Sequence, residues 1–250
     1  MHEDKLLNRL IAHRGGKFYG LENTKEAFEA AIKLNYYGIE CDIQPTKDKK
    51  LVVYHDLDLF RLANIDKKII DCDLEDLKDL ILSKLETDKK TYKGKIMLFN
   101  DFLDLVKRSK IKAFIEIKES FTIEYIQVMM DTIQKSEIDN NQIIIIANKA
   151  SFHLLKDIRK LNNEVKLQFV AYTDYTKYID DCLEYKIDLD LSKNAFFDNK
   201  EQFIINIKRF HQCGLEINCW VVDDLKLLEE LEIIGIDYIT TDSLRPVVKK

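Results

Sequence analysis

Residues Ile11–Asp56 read IAHRGGKFYGLENTKEAFEAAIKLNYYGIECDIQPTKDKKLVVYHD, and within them a strand, a helix and a second strand follow in order. The run LIAH (Leu10–His13) is short and apolar. In NTKEAFEAAIKLN, Ala27, Phe28, Ala31, Ile32 and Leu34 recur at helical spacing, and Asn23 or Thr24 is placed to cap the start. YGIECDI (Tyr37–Ile43) returns to strand character. Two histidines, an arginine and several carboxylates sit at the edges of these apolar runs.

The same alternation continues along the chain. KAFIEIK, QIIIIA, VKLQFVA, IDLDLS, LEINCWVV and DYITTD are strand candidates, separated by helical stretches such as FTIEYIQVMMDTIQKS, SFHLLKDIRKLN, KYIDDCLEYK, KEQFIINIKRFHQC and DLKLLEELEIIG. Eight strands alternating with helices argue for parallel pairing through right-handed crossovers. Within 250 residues they favour a closed (β/α)₈ barrel, spanning residues 1–250 as one domain. One irregular segment, about residues 56–110, follows the second strand. It holds LVVYHD, an acidic and lysine-rich section and the helical MLFNDFLDLVKRS, and is read as an excursion carrying a hairpin-like segment and extra helices.

Composition narrows the function classes. Hydrophobic residues make up 46% and charged residues 33%, and the net charge of −5 offers no basic footprint for nucleic acid. The longest aliphatic run, Ile143–Ala147, is far too short to span a bilayer, so no stable membrane insertion is expected. The N-terminus lacks the segments of a secretory signal, and the five cysteines have no CxxC pair or zinc-like spacing; a cytoplasmic, reducing setting is expected. A barrel's helical exterior suits a monomer or a homodimer.

Strand alternation points to the chemistry. In YGIECDI, Ile39, Cys41 and Ile43 share one face, and Gly38, Glu40 and Asp42 the other. In KAFIEIK, Ala113, Ile115 and Ile117 face the helices, while Phe114, Glu116 and Lys118 face inward. Three inward carboxylates repel one another unless a positive group sits among them. A divalent cation with oxygen ligands, Mg²⁺ or Ca²⁺, is one neutraliser; salt bridges to Lys118 or Arg14 are the other. Barrel sites lie at the C-terminal ends of the strands, where these residues fall. His13 is followed by Arg14, Gly15 and Gly16, glycines that allow backbone to approach a ligand. His55 ends LVVYHD beside Asp56. Paired imidazoles can divide acid and base duties, and an arginine fork suits phosphate. Trp220 shares a face with Asn218 and Glu216 and can wall a pocket. His2 lies in a terminus, and His153 and His211 fall within expected helices.

These motifs, taken together, resemble the glycerophosphodiester phosphodiesterase family. They are His13-Arg14-Gly15, Glu22-Asn23-Thr24 with Ala27-Phe28, Glu40-Cys41-Asp42, His55-Asp56 with Leu59 and Arg61, Glu116-Ile117-Lys118, Trp220, and the closing DYITTDSLRP. The resemblance spans nearly the whole chain. It implies a barrel that hydrolyses glycerophosphodiesters to glycerol 3-phosphate and an alcohol, with one divalent cation. By that likeness Glu40, Asp42 and Glu116 are metal ligands and His13 and His55 the acid–base pair. Arg14 and Lys118 lie near the phosphate, Trp220 is at the glycerol moiety, and Glu22 and Asn23 organise the substrate site. Departures fall around the pocket: Leu21 stands where a proline is common, Asp48-Lys49-Lys50 replaces an Asp-Gly turn, and Val221-Val222-Asp223 follows the tryptophan. Three other readings remain: a related barrel phosphodiesterase acting on lysophospholipids or phosphoinositides, a non-catalytic binder of glycerophosphodiesters, and a structural barrel whose carboxylates only make ion pairs.

Overall fold

A computed structural model describes residues 6–17 and 19–247; His2 lies outside them. Its strands are β1 (Leu10–Ala12), β2 (Gly38–Pro45), β3 (Leu51–Val53), β4 (Ile81–Leu85), β5 (Thr91–Lys95), β6 (Met97–Leu98), β7 (Lys112–Ile117), β8 (Ile143–Asn148), β9 (Lys166–Ala171), β10 (Asp188–Ser192), β11 (Ile217–Trp220) and β12 (Tyr238–Thr241). Eight of these, β1, β2 and β7 to β12, pair in parallel, and β1 bonds to both β2 and β12, which closes the ring. The expected (β/α)₈ barrel with an insertion after its second strand is the fold observed.

Two apolar layers form as strand alternation requires. Ile39, Cys41, Ile43, Ala113, Ile115 and Ile117 join the large cluster between sheet and helices, with Phe28, Phe102 and Val106. Inside the barrel a smaller cluster gathers Ile11, Phe114, Ile144, Ile146, Val170 and Tyr238. Above that plug the interior turns polar. This division puts an apolar floor beneath charged side chains at the strands' C-terminal ends.

The insertion is more β-rich than the sequence suggests. β3 runs antiparallel to β2, and β6 antiparallel to β3. The short helices Phe60–Ala63 and Leu74–Leu77 follow β3. β4 and β5 then form a separate antiparallel hairpin in the acid- and lysine-rich stretch, a hairpin-like segment of the kind expected in this insertion but with strands that the sequence does not mark. Its strands are mostly exposed and its residues mostly polar, so the apolar alternation that marks a strand is nearly absent. The helix Phe99–Ser109, assigned to the insertion by sequence, packs instead with the barrel's outer layer: Phe102 meets the Phe28 ring edge-on at 5.0 Å. It serves as the crossover helix between β2 and β7.

Two positions yield stability predictions. A Cβ on Gly38 would lie 2.6 Å from Cε2 of Phe114, itself wedged edge-on against Tyr238 in the barrel floor. Gly38→Ala should cost about 1–3 kcal/mol through overpacking, read as a lower urea midpoint at unchanged m-value. Asp188 of β10 accepts a bond from the Glu216 amide at 2.8 Å, yet burial pushes its carboxyl up from 3.8 to about 7. Between those values the folded chain holds a proton that the unfolded chain has released. This group therefore erodes stability as pH rises from about 4 to about 7, with the full cost above that range. Asp188→Asn keeps the acceptor oxygen. Its stability relative to the parent should grow between pH 5 and pH 8 in urea titrations, and a constant difference would refute the assignment.

Candidate active site

The centre of the site is set by the register of two neighbouring strands. β2 and β7 pair so that Asp42 lies beside Glu116, with Glu40 one step back beside Phe114. One carboxylate oxygen from each of Glu40, Asp42 and Glu116 falls within 4.8 Å of the others. Lys118 Nζ stands between two of them, 2.5 Å from Asp42 Oδ1 and 2.8 Å from Glu116 Oε1. Arg14 approaches from β1's end: its amide donates to Glu40 Oε2 at 2.9 Å, and its Nε lies 3.4 Å from Asp42 Oδ2. Asn23 grips Asp42 twice, donating from Nδ2 to Oδ2 at 2.7 Å and accepting from the Asp42 amide at 3.2 Å.

Burial acts on these acids in opposite directions once their neighbours are counted. Glu40 is held well above the ordinary carboxylate range by burial, reinforced by the charges of Asp42 and Glu116. Burial alone would raise Asp42 too, but Lys118, Arg14 and His55 overcome it and keep the group ionised. Lys118 is itself buried, which disfavours its charge, and Asp42 and Glu116 more than restore it.

Both histidines line the same cavity as this cluster and carry the same arrangement. His13 Nδ1 lies 2.7 Å from Asp242 Oδ1, and His55 Nδ1 lies 2.6 Å from Asp56 Oδ1. A carboxylate on Nδ1 fixes the ring and leaves Nε2 for substrate. The first pair spans the barrel's closure, joining the end of β1 to the residue after β12. The second is local and is extended outward: Asp56 Oδ2 accepts from Arg61 Nε at 2.6 Å, and Arg61 forks onto both oxygens of Glu22 at 2.8 and 2.7 Å. Glu22 Oε1 also accepts from Arg14 Nη1 at 2.9 Å.

His13, Arg14, Glu40, His55, Glu116, Lys118 and Trp220 all line one cavity of about 590 Å³ at the barrel mouth. Trp220 meets Tyr172 edge-on at 5.2 Å, and its indole donates to the Asp190 carbonyl. Asp42 lies just beneath the surface. Glu22 and Asn23 stand behind Arg14 and Asp42, outside the cavity lining. His153 is exposed on the helix Phe152–Leu161, and His211 bonds to Asp237 at 2.8 Å, away from the mouth.

Several features were not foreseen. Asp190 and Tyr172 also line the cavity, and the Asp190 carboxylate accepts from Asn218 Nδ2 at 2.7 Å. The alternation that singled out Glu40 and Asp42 applies equally to the two aspartates of IDLDLS. The glycine after Arg14 serves packing: a Cβ on Gly15 would lie 2.7 Å from the Ala27 Cβ, so this turn presses on the first helix. Thr24 is the N-cap residue but its hydroxyl donates to the Leu21 carbonyl, while Asn23, in a left-handed conformation, spends its side chain on Asp42.

The residues present fit a hard divalent cation. Three convergent carboxylates supply the oxygen donors such ions prefer. Lys118 and Arg14 leave the cluster incompletely satisfied: Glu40 Oε1 is buried with no hydrogen-bond partner. An orphaned buried carboxylate oxygen is costly without a ligand.

Known proteins resemble the chain over nearly its whole length. A glycerophosphodiester phosphodiesterase of Caldanaerobacter subterraneus subsp. tengcongensis is 26% identical over 236 residues, covering 93% of each chain. The glycerophosphodiester phosphodiesterase of Thermotoga maritima superposes with a TM-score of 0.76 at 27% identity, covering 94% of each chain. A phosphodiesterase of Oleispira antarctica, solved with the product sn-glycerol-3-phosphate, shares the fold at a TM-score of 0.79 and 17% identity, over 94% of this chain and 93% of that one. The profile of the Glycerophosphoryl diester phosphodiesterase family matches residues 13–245, from the first cavity histidine to beyond Asp242, and the chain belongs to that family of phosphoric diester hydrolases.

Proposed function

We propose that the chain hydrolyses small glycerophosphodiesters to glycerol 3-phosphate and an alcohol, using His13 and His55 as its acid–base pair. The observation that carries this reading is the pair of His–carboxylate units facing one cavity across a cluster of three acids. The two most similar relatives named above, at 26% and 27% identity, are glycerophosphodiester phosphodiesterases.

Glu40, Asp42 and Glu116 would hold one divalent cation, Mg²⁺ or Ca²⁺. When bound, such an ion supplies Lewis-acid stabilisation of charge on a phosphoryl oxygen. The remaining work falls to the protein's own groups. Arg14 and Lys118, both cationic at the cavity wall, orient the phosphate and stabilise charge that grows on its oxygens. One imidazole takes a proton at Nε2 from the nucleophile, and the other gives one from Nε2 to the departing alkoxide. Asp242 and Asp56 hold the rings and stabilise whichever is protonated. Trp220 offers an apolar wall to the glycerol carbons, and Glu22 and Asn23 hold Arg14 and Asp42 in place.

Glycerol 3-phosphate release from a panel of glycerophosphodiesters, with lysophospholipids as a comparison, tests the reading directly. His13→Ala and His55→Ala should each lower kcat about 10²- to 10⁴-fold, and chelation should abolish turnover. Activity that survives both would defeat the scheme. Cation binding can also be followed without activity. At a free cation concentration about 100 times Kd the fold should gain about 2.7 kcal/mol, visible as a rise in Tm. Glu40→Gln should shrink that rise while leaving the cation-free protein no less stable. A parental Tm that ignores Mg²⁺, Ca²⁺ and Mn²⁺ would favour carboxylates that serve only as ion-pair partners.

A further inference from the structure

The insertion hairpin reaches into the site's supporting network at one residue. Lys84, on β4, places its Nζ 2.9 Å from Glu22 Oε2 and 2.6 Å from Glu86 Oε1. Both carboxylates are nearly buried, at 10% side-chain exposure. Burial disfavours the Lys84 charge, but Glu86 and Glu22 together hold it in place. The hairpin also docks on the same tripeptide through its backbone: a Cβ on Gly94 of β5 would lie 2.6 Å from Cγ2 of Thr24. The hairpin is therefore seated against Glu22-Asn23-Thr24 by a close approach and by a shared cation.

We infer that Lys84 is a positioning residue for catalysis: by screening Glu22 from Glu86 it keeps Glu22 where Arg61 can hold Asp56 against His55. This rests on the reading of His55 as a catalytic residue. The contacts run Lys84–Glu22–Arg61–Asp56–His55, every link between 2.6 and 2.9 Å. Without the ammonium, the two poorly hydrated carboxylates that now share it face each other, with Glu86 left to the looser contact of Lys17 at 3.9 Å, and Glu22 retreats from Glu86. A small cavity of about 90 Å³, bordered by Glu22, Glu86, Lys17, Arg14, His13 and Asp242, gives the two carboxylates room to move.

The two arginines on Glu22 respond differently. Arg14 is also fixed by its amide bond to Glu40 and its guanidinium beside Asp42, so it keeps its place at the phosphate. Arg61 has only Glu22 and Asp56 as ion-pair partners among the described residues and is 36% exposed. Displacement of Glu22 therefore passes to Asp56 and His55, the proton-transfer side, and not to the phosphate-binding side. A misplaced acid–base group lowers turnover more than it lowers affinity.

The test is steady-state hydrolysis of one glycerophosphodiester by the full chain, with Tm measured for every variant. Lys84→Ala should lower kcat roughly tenfold while KM changes less than about threefold. Lys84→Arg should restore most of kcat, because it returns a cation to the same place. Lys84→Ala combined with Glu86→Gln should also recover kcat, since the repulsion that displaces Glu22 is gone. Loss of kcat that follows Tm across the variants, or a double variant no better than Lys84→Ala, would overturn the proposal in favour of simple hairpin docking. A parental kcat in Lys84→Ala overturns it as well, while a large loss in His55→Ala measured alongside leaves the catalytic reading standing. Full activity in His55→Ala would sink both.

Discussion

Three carboxylates crowded together at a barrel mouth cannot remain there on their own, and much of the surrounding structure answers that constraint. Lys118 bridges two of them, Arg14 contributes its amide and its guanidinium, and Asn23 clamps the third acid's neighbour from behind. Each compensating group comes from a different element: β7's end, the turn after β1 and the segment before the first helix. The cluster thereby ties the first strand–helix–strand unit to the third barrel strand. It also leaves one oxygen of Glu40 without a partner, so the protein's own groups come close to satisfying these acids without doing so.

Around that core the site is built twice over in one respect. Each imidazole is backed by a carboxylate at nearly equal distance, 2.7 and 2.6 Å, but the two pairs depend on the fold in different ways. His13 and Asp242 meet only because β1 and β12 are adjacent, so that pair exists only when the ring is closed. His55 and Asp56 are consecutive residues, and their alignment depends on Arg61 and Glu22 instead. One His–carboxylate pair thus depends on barrel closure and the other on the insertion.

How much of this the sequence disclosed follows from the range of the interactions involved. Period-two alternation in YGIECDI and KAFIEIK suffices to place Glu40, Asp42, Glu116 and Lys118 inside, because side-chain direction along a strand is a local property. The same rule, applied to IDLDLS, leads to Asp190. The strands of the β4–β5 hairpin escaped because they bury little: TYKGK has no apolar face to repeat. The role of Lys84 was invisible for another reason, since its partner Glu22 lies 62 positions away and their meeting depends on how that hairpin docks. Asn23 shows the converse limit. Its type suited a helix cap, and only the tertiary structure reveals that Asp42 claims its amide.

The strand that carries two of the three central acids is also the longest in the barrel. β2 has eight residues, pairs in parallel with β1 and β7, and then continues past the barrel to pair antiparallel with β3. Elements bonded on both edges and packed on both faces open only with the molecule as a whole. The Cys41 amide, on the side of β2 that pairs with β7, should accordingly rank among the slowest to exchange with deuterated solvent, whereas the outlying β4–β5 ribbon can breathe by itself. The acid cluster therefore rides on the most cooperative part of the chain, and fraying of the periphery leaves its geometry intact.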